Sequence, residues 1–185
     1  MIKKNIRILL CLLSGIVMTS SISCEPDDIC PASTPTTPGL VMEAFDNNNP
    51  ENSKNIFGLT VIGEGQSEPL PDFYNVSNKS KLILPLNTQT NKTEYRLIKD
   101  TFINDNGTPD DTSDDFIDGK SVLITINYST KAVFVSRACG YKYIFENVSV
   151  QVDQSDPDRW IKSIAPVNPN QSVENETETQ FILLH

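Results

Sequence analysis

An alternation of apolar and polar residues near the centre of the chain constrains the fold more strongly than any other feature. Apolar side chains occupy every second position from Val122 to Tyr128. Because successive side chains of a β-strand point to opposite faces of a sheet, this period of two predicts a strand with one buried face. Similar short runs recur through residues 39–185, and no window has the period of an amphipathic helix. The chain is therefore predicted to form eight or nine short strands in an antiparallel β-sandwich of immunoglobulin-like architecture.

Two details of strand order follow from the same pattern. Ser129–Thr130 is predicted to be a tight turn, so that residues 131–138 return as a strand beside residues 122–128. Further along, three aromatic residues up to Phe145 occupy odd positions, and three valines from Val148 occupy even ones. A shift by one residue exchanges the two faces of a strand, so a bulge or break is predicted between these two residues.

The start of the chain has the order of a secretory signal peptide. Three basic residues and no acid lie within residues 1–7, and the apolar run at residues 8–18 is too short to span a membrane. Ser23 directly precedes Cys24, as at the end of a bacterial lipoprotein signal. We therefore predict a lipoprotein-type signal peptide at residues 1–23 and lipidation of Cys24. The small residues before the Cys would also suit an ordinary signal peptidase.

Residues 24–38 are predicted to be a tether rather than part of the core. Three acidic residues within residues 25–28 suit an export tag and a solvated acidic tether equally well. Residues 31–38 are rich in Pro, Thr and Ser, which favour an extended, solvated backbone. A single β-sandwich domain is predicted over residues 39–185.

The cysteine count supports this organisation. Cys11 leaves with the signal peptide, and lipidation of Cys24 leaves Cys30 and Cys139 as an even pair in an oxidising compartment. We predict a disulfide between Cys30 and Cys139. It would close a loop of about 100 residues, for which the chain-entropy model gives about 4–5 kcal/mol of stabilisation. Two buried free thiols are the alternative.

The charge balance limits the partners. The sequence has 24 acidic and 15 basic residues, and three of the basic residues lie in the predicted signal peptide. A chain this acidic lacks the clustered Lys and Arg that binding to nucleic acid requires, so no nucleic-acid partner is predicted. It would not be drawn to anionic lipid either, so membrane attachment is predicted to depend on the N-terminal lipid.

Three segments of the sequence carry a resemblance to a known family. They are VSRACGYKYIF at residues 135–145, LILPLN at residues 82–87, and residues 24–45, which contain Cys30 and the Pro/Thr-rich run. Together they resemble a family of small, uncharacterised lipoproteins of Bacteroidetes such as Flavobacterium. The resemblance implies an exported lipoprotein at the outer membrane, on its periplasmic or cell-surface face. It implies no catalytic residues, since the family has no assigned activity.

The sequence offers little catalytic chemistry. Its single His is His185, which argues against a His-based triad or a zinc site. No Gly-x-Ser-x-Gly elbow, Gly-rich phosphate loop or Cys-x-x-Cys pair occurs. Carboxylates that would serve a glycosidase are numerous, but acids in turns are the default on an acidic surface. The protein is therefore predicted not to be an enzyme.

An acidic loop at residues 105–119 is the best local group of candidate metal ligands. Calcium takes roughly six to eight oxygen ligands from carboxylates, amides and backbone carbonyls, and this loop has enough of them. The EF-hand template fails, because with Gly107 at its sixth position Phe102 falls where the first Asp belongs and Ser113 falls where the Glu belongs. The alternative is a solvated loop without metal. The predicted calcium ligands are Asn104, Asn106, Asp110, Asp111, Asp114 and Asp115.

Two classes of function remain from the sequence. The leading hypothesis is a non-enzymatic envelope lipoprotein that acts through contacts with a protein partner, and the alternative is a surface module that binds a glycan or calcium. Tyr141, Tyr143 and Trp160 would suit a platform on which a sugar stacks, although alternating aromatic residues on a strand more often belong to a core. An exposed aromatic row would favour the alternative, whereas one exposed apolar patch would favour the protein partner.

Overall fold

The computed structural model describes residues 29–157, 159–169 and 171–185. The predicted signal peptide at residues 1–23 and the predicted lipidation site Cys24 lie outside these described residues. Within them the chain forms nine strands, one short 3-10 turn and no α-helix. The strands are β1 (Leu40–Asp46), β2 (Asn49–Ser53), β3 (Thr60–Gly63), β4 (Lys81–Leu84), β5 (Lys92–Asn104), β6 (Phe116–Ser136), β7 (Gly140–Val152), β8 (Ser163–Pro166) and β9 (Phe181–Leu184), and the 3-10 turn is Thr112–Asp114.

The chain forms two compact units. The larger consists of residues 35–134 and 141–185 and contains most of β6 and β7 together with all the other strands. The described part of the smaller unit is residues 29–34 and 135–140. The predicted domain boundary at residue 39 stays a prediction.

The strands pair into two sheets that pack as a sandwich, which confirms the predicted all-β sandwich. One sheet has four strands in the order β3-β5-β6-β7. The other sheet has five strands. One edge of β1 pairs with β9, the other edge of β1 pairs with both β2 and β4, and β8 pairs with the far edge of β9. β1 and β9 run parallel. A parallel pair needs a long connection, and most of the domain lies between these two strands.

Apolar residues at alternate positions fill the space between the sheets. Val122, Ile124, Ile126 and Tyr128 of β6 are buried in one cluster with residues of both sheets. Burial of an apolar side chain of this kind stabilises the fold by about 1.5–3 kcal/mol. The partners of β6 in this cluster include Tyr95, Leu97, Leu40, Met42, Ala44, Leu82, Leu84 and Leu183.

Strand β6 is continuous over 21 residues, so the predicted turn at Ser129–Thr130 is wrong. A two-residue hairpin turn needs positive φ angles, which Ser and Thr adopt less readily than Gly or Asn. The chain instead reverses at residues 137–139, directly before Gly140, whose φ of 70° supplies that conformation. β6 therefore runs past its buried segment into exposed positions.

The predicted change of phase in β7 is confirmed. Phe145 and Val148 are both fully buried, although the regular alternation of a strand would place their side chains on opposite faces. Between them Asn147 has a φ of 56°. Asn tolerates this left-handed conformation better than most residues, so the irregularity falls where the backbone strain is small.

The other end of β6 forms a long hairpin with β5. Residues 102–104 pair with residues 116–118, beyond a register shift that begins after Lys99. Gly119 permits this irregularity, because its φ is 150° and a Cβ atom there would lie 2.8 Å from the carbonyl oxygen of Lys99. Strand pairing therefore resumes and continues up to the acidic loop.

The smaller unit is closed by a disulfide. The Sγ atoms of Cys30 and Cys139 are 2.05 Å apart and the Cα atoms are 4.8 Å apart, which supports the predicted pairing. The two residues are separated by 109 positions in the sequence. Disulfides persist in oxidising compartments, so this bond indicates a protein that is exported from the cytoplasm.

Replacing both cysteines, Cys30→Ser with Cys139→Ser, is expected to lower the free energy of unfolding. The chain-entropy model gives about 4–5 kcal/mol for such a loop. This is an upper limit, because residues 29–34 are mostly exposed and would gain freedom in the native state once released. Urea unfolding with and without reductant measures the loss. Equal unfolding midpoints for the oxidised and the reduced protein would contradict the disulfide.

Phe145 and Phe134 form a matched pair for measuring the effect of burial. Phe145 meets Tyr128 edge-on with 5.0 Å between ring centroids, and Phe134 meets Tyr141 in the same way at 5.4 Å. Phe145 is fully buried, whereas Phe134 is 57% exposed. In urea unfolding, Phe145→Ala is expected to destabilise by about 3–5 kcal/mol and Phe134→Ala by less than about 1 kcal/mol. Similar losses would show that the ring contact, not burial, carries the energy.

Candidate functional site

The acidic loop is held by its own hydrogen bonds. The Asp114 carboxylate accepts a bond from the Asn106 amide at 3.1 Å and another from the Thr108 hydroxyl at 2.8 Å. At the base of the loop, the Asn104 amide donates to the Asp118 carboxylate at 3.0 Å. These bonds favour the charged carboxylates and lower the pKa of Asp114 and of Asp118. Two predicted calcium ligands, Asn106 and Asp114, thus come together as partners of each other.

The remaining predicted calcium ligands are spread over the loop. Asp111 accepts a hydrogen bond from the backbone N–H of Ser113 at 3.0 Å and caps the start of the 3-10 turn. Asp110 is exposed, and one buried carboxylate oxygen of Asp115 has no hydrogen-bond partner within the described chain. In residues 29–157, 159–169 and 171–185, no group of three or more His, Cys, Asp or Glu side chains is placed to hold a metal ion. Calcium binding by this loop stays a prediction.

The three aromatic residues considered for a sugar platform do not share one surface. Trp160 is only 7% exposed and belongs to the core, where its ring meets that of His185 edge-on. Tyr143 is half-buried against the core, and Tyr141 is 67% exposed. The ring that Tyr141 contacts is Phe134. The platform is therefore not formed, and the interpretation of Trp160 as a core residue is confirmed.

Exposed apolar side chains gather instead on the β5–β6 hairpin. Phe57, Phe102, Ile103 and Phe116, together called the hairpin patch here, are 47–64% exposed. Phe57 lies beside the hairpin, because its carbonyl oxygen accepts a hydrogen bond from the backbone N–H of Asp100 at 3.0 Å. The patch thus surrounds the irregular part of β5.

Strand pairing determines which faces of the hairpin carry the patch. Phe102 pairs with Asp118, and Phe116 pairs with Asn104. In this register Phe102 and Phe116 are diagonal neighbours on one face, about 7–8 Å apart. Ile103 follows Phe102 directly and so projects from the opposite face. Both faces of the hairpin therefore carry exposed apolar side chains.

A second exposed aromatic group lies where β6 ends. It consists of Phe134 and Tyr141, called the turn pair here, whose rings contact each other. A strand rises about 3.3 Å per residue, so Phe116 and Phe134 lie roughly 60 Å apart along β6. The hairpin patch and the turn pair therefore occupy opposite ends of one strand.

Of the residues in the hairpin patch and the turn pair, the sequence predicted only Tyr141 to be part of a binding surface. A signal was present at Phe102 and Ile103, which are adjacent apolar residues directly before a polar loop. Because neighbouring side chains of a strand point to opposite faces, one of the two must leave the buried face. No comparable local signal marks Phe57 or Phe134 as exposed.

Two grooves of the larger unit differ in the side chains that line them. One lies beside the edge strand β4, where the Lys79 ammonium is 4.3 Å from the centre of the Phe73 ring and Ile83 completes the wall. The other, before β9, is lined by polar residues such as Glu174 and Gln180. Neither groove was anticipated from the sequence.

His185 is a buried titratable group beside the core. Its ring packs against Trp160, and burial lowers the pKa of His185 below its ordinary 6.5. The nearby charges of Lys99 and Lys54 lower the pKa further, whereas the Lys54 carbonyl oxygen, 3.2 Å from Nε2, and the Asp46 carboxylate raise it. The balance favours a neutral imidazole that donates its Nε2–H to Lys54.

Stability is expected to fall as the pH drops below 6.5. In that range the unfolded chain protonates His185 while the folded chain keeps it neutral, so the unfolded state binds more protons. The stabilisation is present above pH 6.5 and is lost as the pH falls toward the folded pKa. Thermal melting from about pH 7.5 to about pH 5 should show the decrease, and His185→Gln, which does not titrate, should show a smaller one. Equal slopes for the two proteins would contradict this role of His185.

The fold and the disulfide together define a small, exported, all-β sandwich protein. Among its described residues no helix has the length and apolar character needed to cross a membrane. The chain belongs to the family of unknown function DUF6452, whose model matches residues 58–185. Comparison with curated proteins and with solved structures gave no match. The family match contains the turn pair and all of the hairpin patch except Phe57, and it supports the resemblance to an uncharacterised family.

Proposed function

We propose that this protein is a cell-envelope lipoprotein without enzymatic activity, which is anchored through Cys24 and acts through contacts of its hairpin patch with a protein partner. The location we propose is the outer membrane, on its periplasmic or cell-surface face. The observation that carries the proposal is the presence of exposed apolar residues on both faces of the β5–β6 hairpin.

The sequence and the disulfide support the anchor. Basic residues, an apolar run and small residues directly before Cys24 follow one another in the order of a lipoprotein signal. The Cys30–Cys139 bond fits the oxidising compartment in which an exported chain folds. Lipidation of Cys24 would leave no unpaired thiol in residues 24–185.

The hairpin patch suits a protein partner. Aromatic residues such as Phe102 and Phe116 carry much apolar area and are enriched in the buried centres of interfaces. Single exposed apolar residues are ordinary, but a group of them on one hairpin marks an interaction surface. Because Ile103 projects from the opposite face, a partner that wraps around the hairpin would bury all three side chains, each contributing about 1.5–3 kcal/mol.

The alternative is a surface module that binds a glycan or calcium. Phe102 and Phe116 share one face with the hydrogen-bonded pair of Asn104 and Asp118. Rings beside an amide and a carboxylate are an arrangement on which a sugar would stack and form hydrogen bonds. A glycan would use this face only, so the contribution of Ile103 separates the two functions.

A photo-crosslinking residue in the hairpin patch tests the proposal in intact cells. Phe116→p-benzoylphenylalanine is expected to capture one dominant envelope protein, because the side chain would lie inside the interface. The same replacement at Val167 is the matched control, since Val167 is 45% exposed and lies outside the hairpin. Mass spectrometry of the crosslinked lipoprotein identifies the partner.

A second substitution decides between the two functions. Ile103→Ser in the crosslinking protein is expected to abolish the captured product, because a protein partner would contact both faces. If Phe116 captures no protein above the Val167 control, the protein-partner proposal is wrong. Glycan binding on an array that is lost in Phe116→Ser and unchanged in Ile103→Ser would then establish the alternative.

A further inference from the structure

The turn pair lies on the apolar face of the sheet, at the end where this face is exposed to solvent. Along the odd positions of β7, Phe145 is buried, Tyr143 is half-buried and Tyr141 is 67% exposed. The rings of Phe134 and Tyr141 contact each other, but each side chain has more than half of its surface exposed. Two such rings, side by side on the apolar side of a sheet, point to a further contact with an apolar or interfacial surface.

The disulfide shortens the covalent path from the predicted anchor to the turn pair. Cys24 lies six residues before Cys30, which is bonded to Cys139. Cys139 in turn lies two residues before Tyr141. At about 3.6 Å per fully extended residue, the path from Cys24 to Tyr141 is at most about 35 Å, although more than about 100 residues separate them along the main chain. Tyr141 therefore stays within reach of any surface that holds a lipid on Cys24.

We propose that Phe134 and Tyr141 dock on the lipid–water interface of the membrane that carries the Cys24 anchor. The inference rests on the proposed function, because it requires the lipid on Cys24. Aromatic side chains are favoured at this interface, where the ring enters the acyl boundary and the Tyr hydroxyl stays among the head groups. The lipid holds the protein on the membrane, and the turn pair sets the orientation of β6.

An aromatic contact suits this chain better than an electrostatic one. The full sequence has a formal net charge of −9, and anionic head groups repel a protein of that sign. The turn pair needs no lipid charge, so docking is expected on zwitterionic phosphatidylcholine. Contact at this end of β6 also leaves the hairpin patch, at its other end, open to a protein partner.

Fluorescence quenching by brominated lipid tests the docking. Lipidated protein with Tyr141→Trp is reconstituted into phosphatidylcholine vesicles with and without bromine on the acyl chains. The natural Trp160 is buried in the core, so the bromine acts chiefly on the introduced ring. We expect the emission of Tyr141→Trp to lie at shorter wavelength in vesicles than in detergent-free solution of the unlipidated protein. We also expect this emission to be weaker in the brominated vesicles than in the unbrominated ones. Phe57→Trp, which also replaces an exposed aromatic residue, is the matched control and is expected to show neither change.

The outcomes separate this inference from the proposed function. Mass spectrometry of the same preparations determines whether Cys24 carries lipid, and an unlipidated Cys24 would overturn both. If Cys24 is lipidated and Tyr141→Trp responds no more strongly than Phe57→Trp, the docking is wrong and the anchor stands. Adding Phe134→Ser to Tyr141→Trp should weaken the quenching, because the two rings would enter the interface together, and undiminished quenching would contradict a shared contact. Melting curves verify that these exposed substitutions leave the fold intact.

Discussion

Burial of one face of strand β6 is the interaction on which the rest of the structure depends. Ile124 and Ile126 lie fully buried in the core, and the strand that carries them pairs with β5 along one edge and with β7 along the other. β6 is thus the common strand of the two longest hairpins. Its buried positions cover only the middle of a 21-residue strand, so both hairpins continue beyond the core.

The two ends of β6 carry similar side chains in different settings. At one end, Gly119 and the register shift after Lys99 let the hairpin extend to the acidic loop. At the other, the disulfide places the turn after β6 within a short covalent path of the predicted anchor. In a chain with a net charge of −9, apolar contacts at these ends offer binding that does not depend on an oppositely charged partner. The two proposals assign one end to the membrane and the other to a protein.

Several features were predictable because they depend on local rules or on counting. The change of phase at Asn147 follows from the alternation of side chains between the two faces of a strand. The Cys30–Cys139 pair follows from counting, because the predicted lipidation of Cys24 and the predicted loss of Cys11 leave two thiols. The turn at Ser129–Thr130 was predicted wrongly, because a pair of polar residues resembles a turn although neither residue readily adopts a positive φ. Within the acidic loop, composition indicated calcium ligands, but composition could not show that Asn106 and Asp114 bind each other.

The sequence by itself determined that the chain forms strands, which residues occupy the apolar side of strands such as β6, and which two cysteines pair. Only the tertiary structure decided which of those apolar residues are exposed. Phe134 and Phe145 have similar local patterns and each packs edge-on against a Tyr, yet one is 57% exposed and the other is fully buried. The physical reason is that burial depends on how far the opposing sheet extends, which no local pattern of the strand contains.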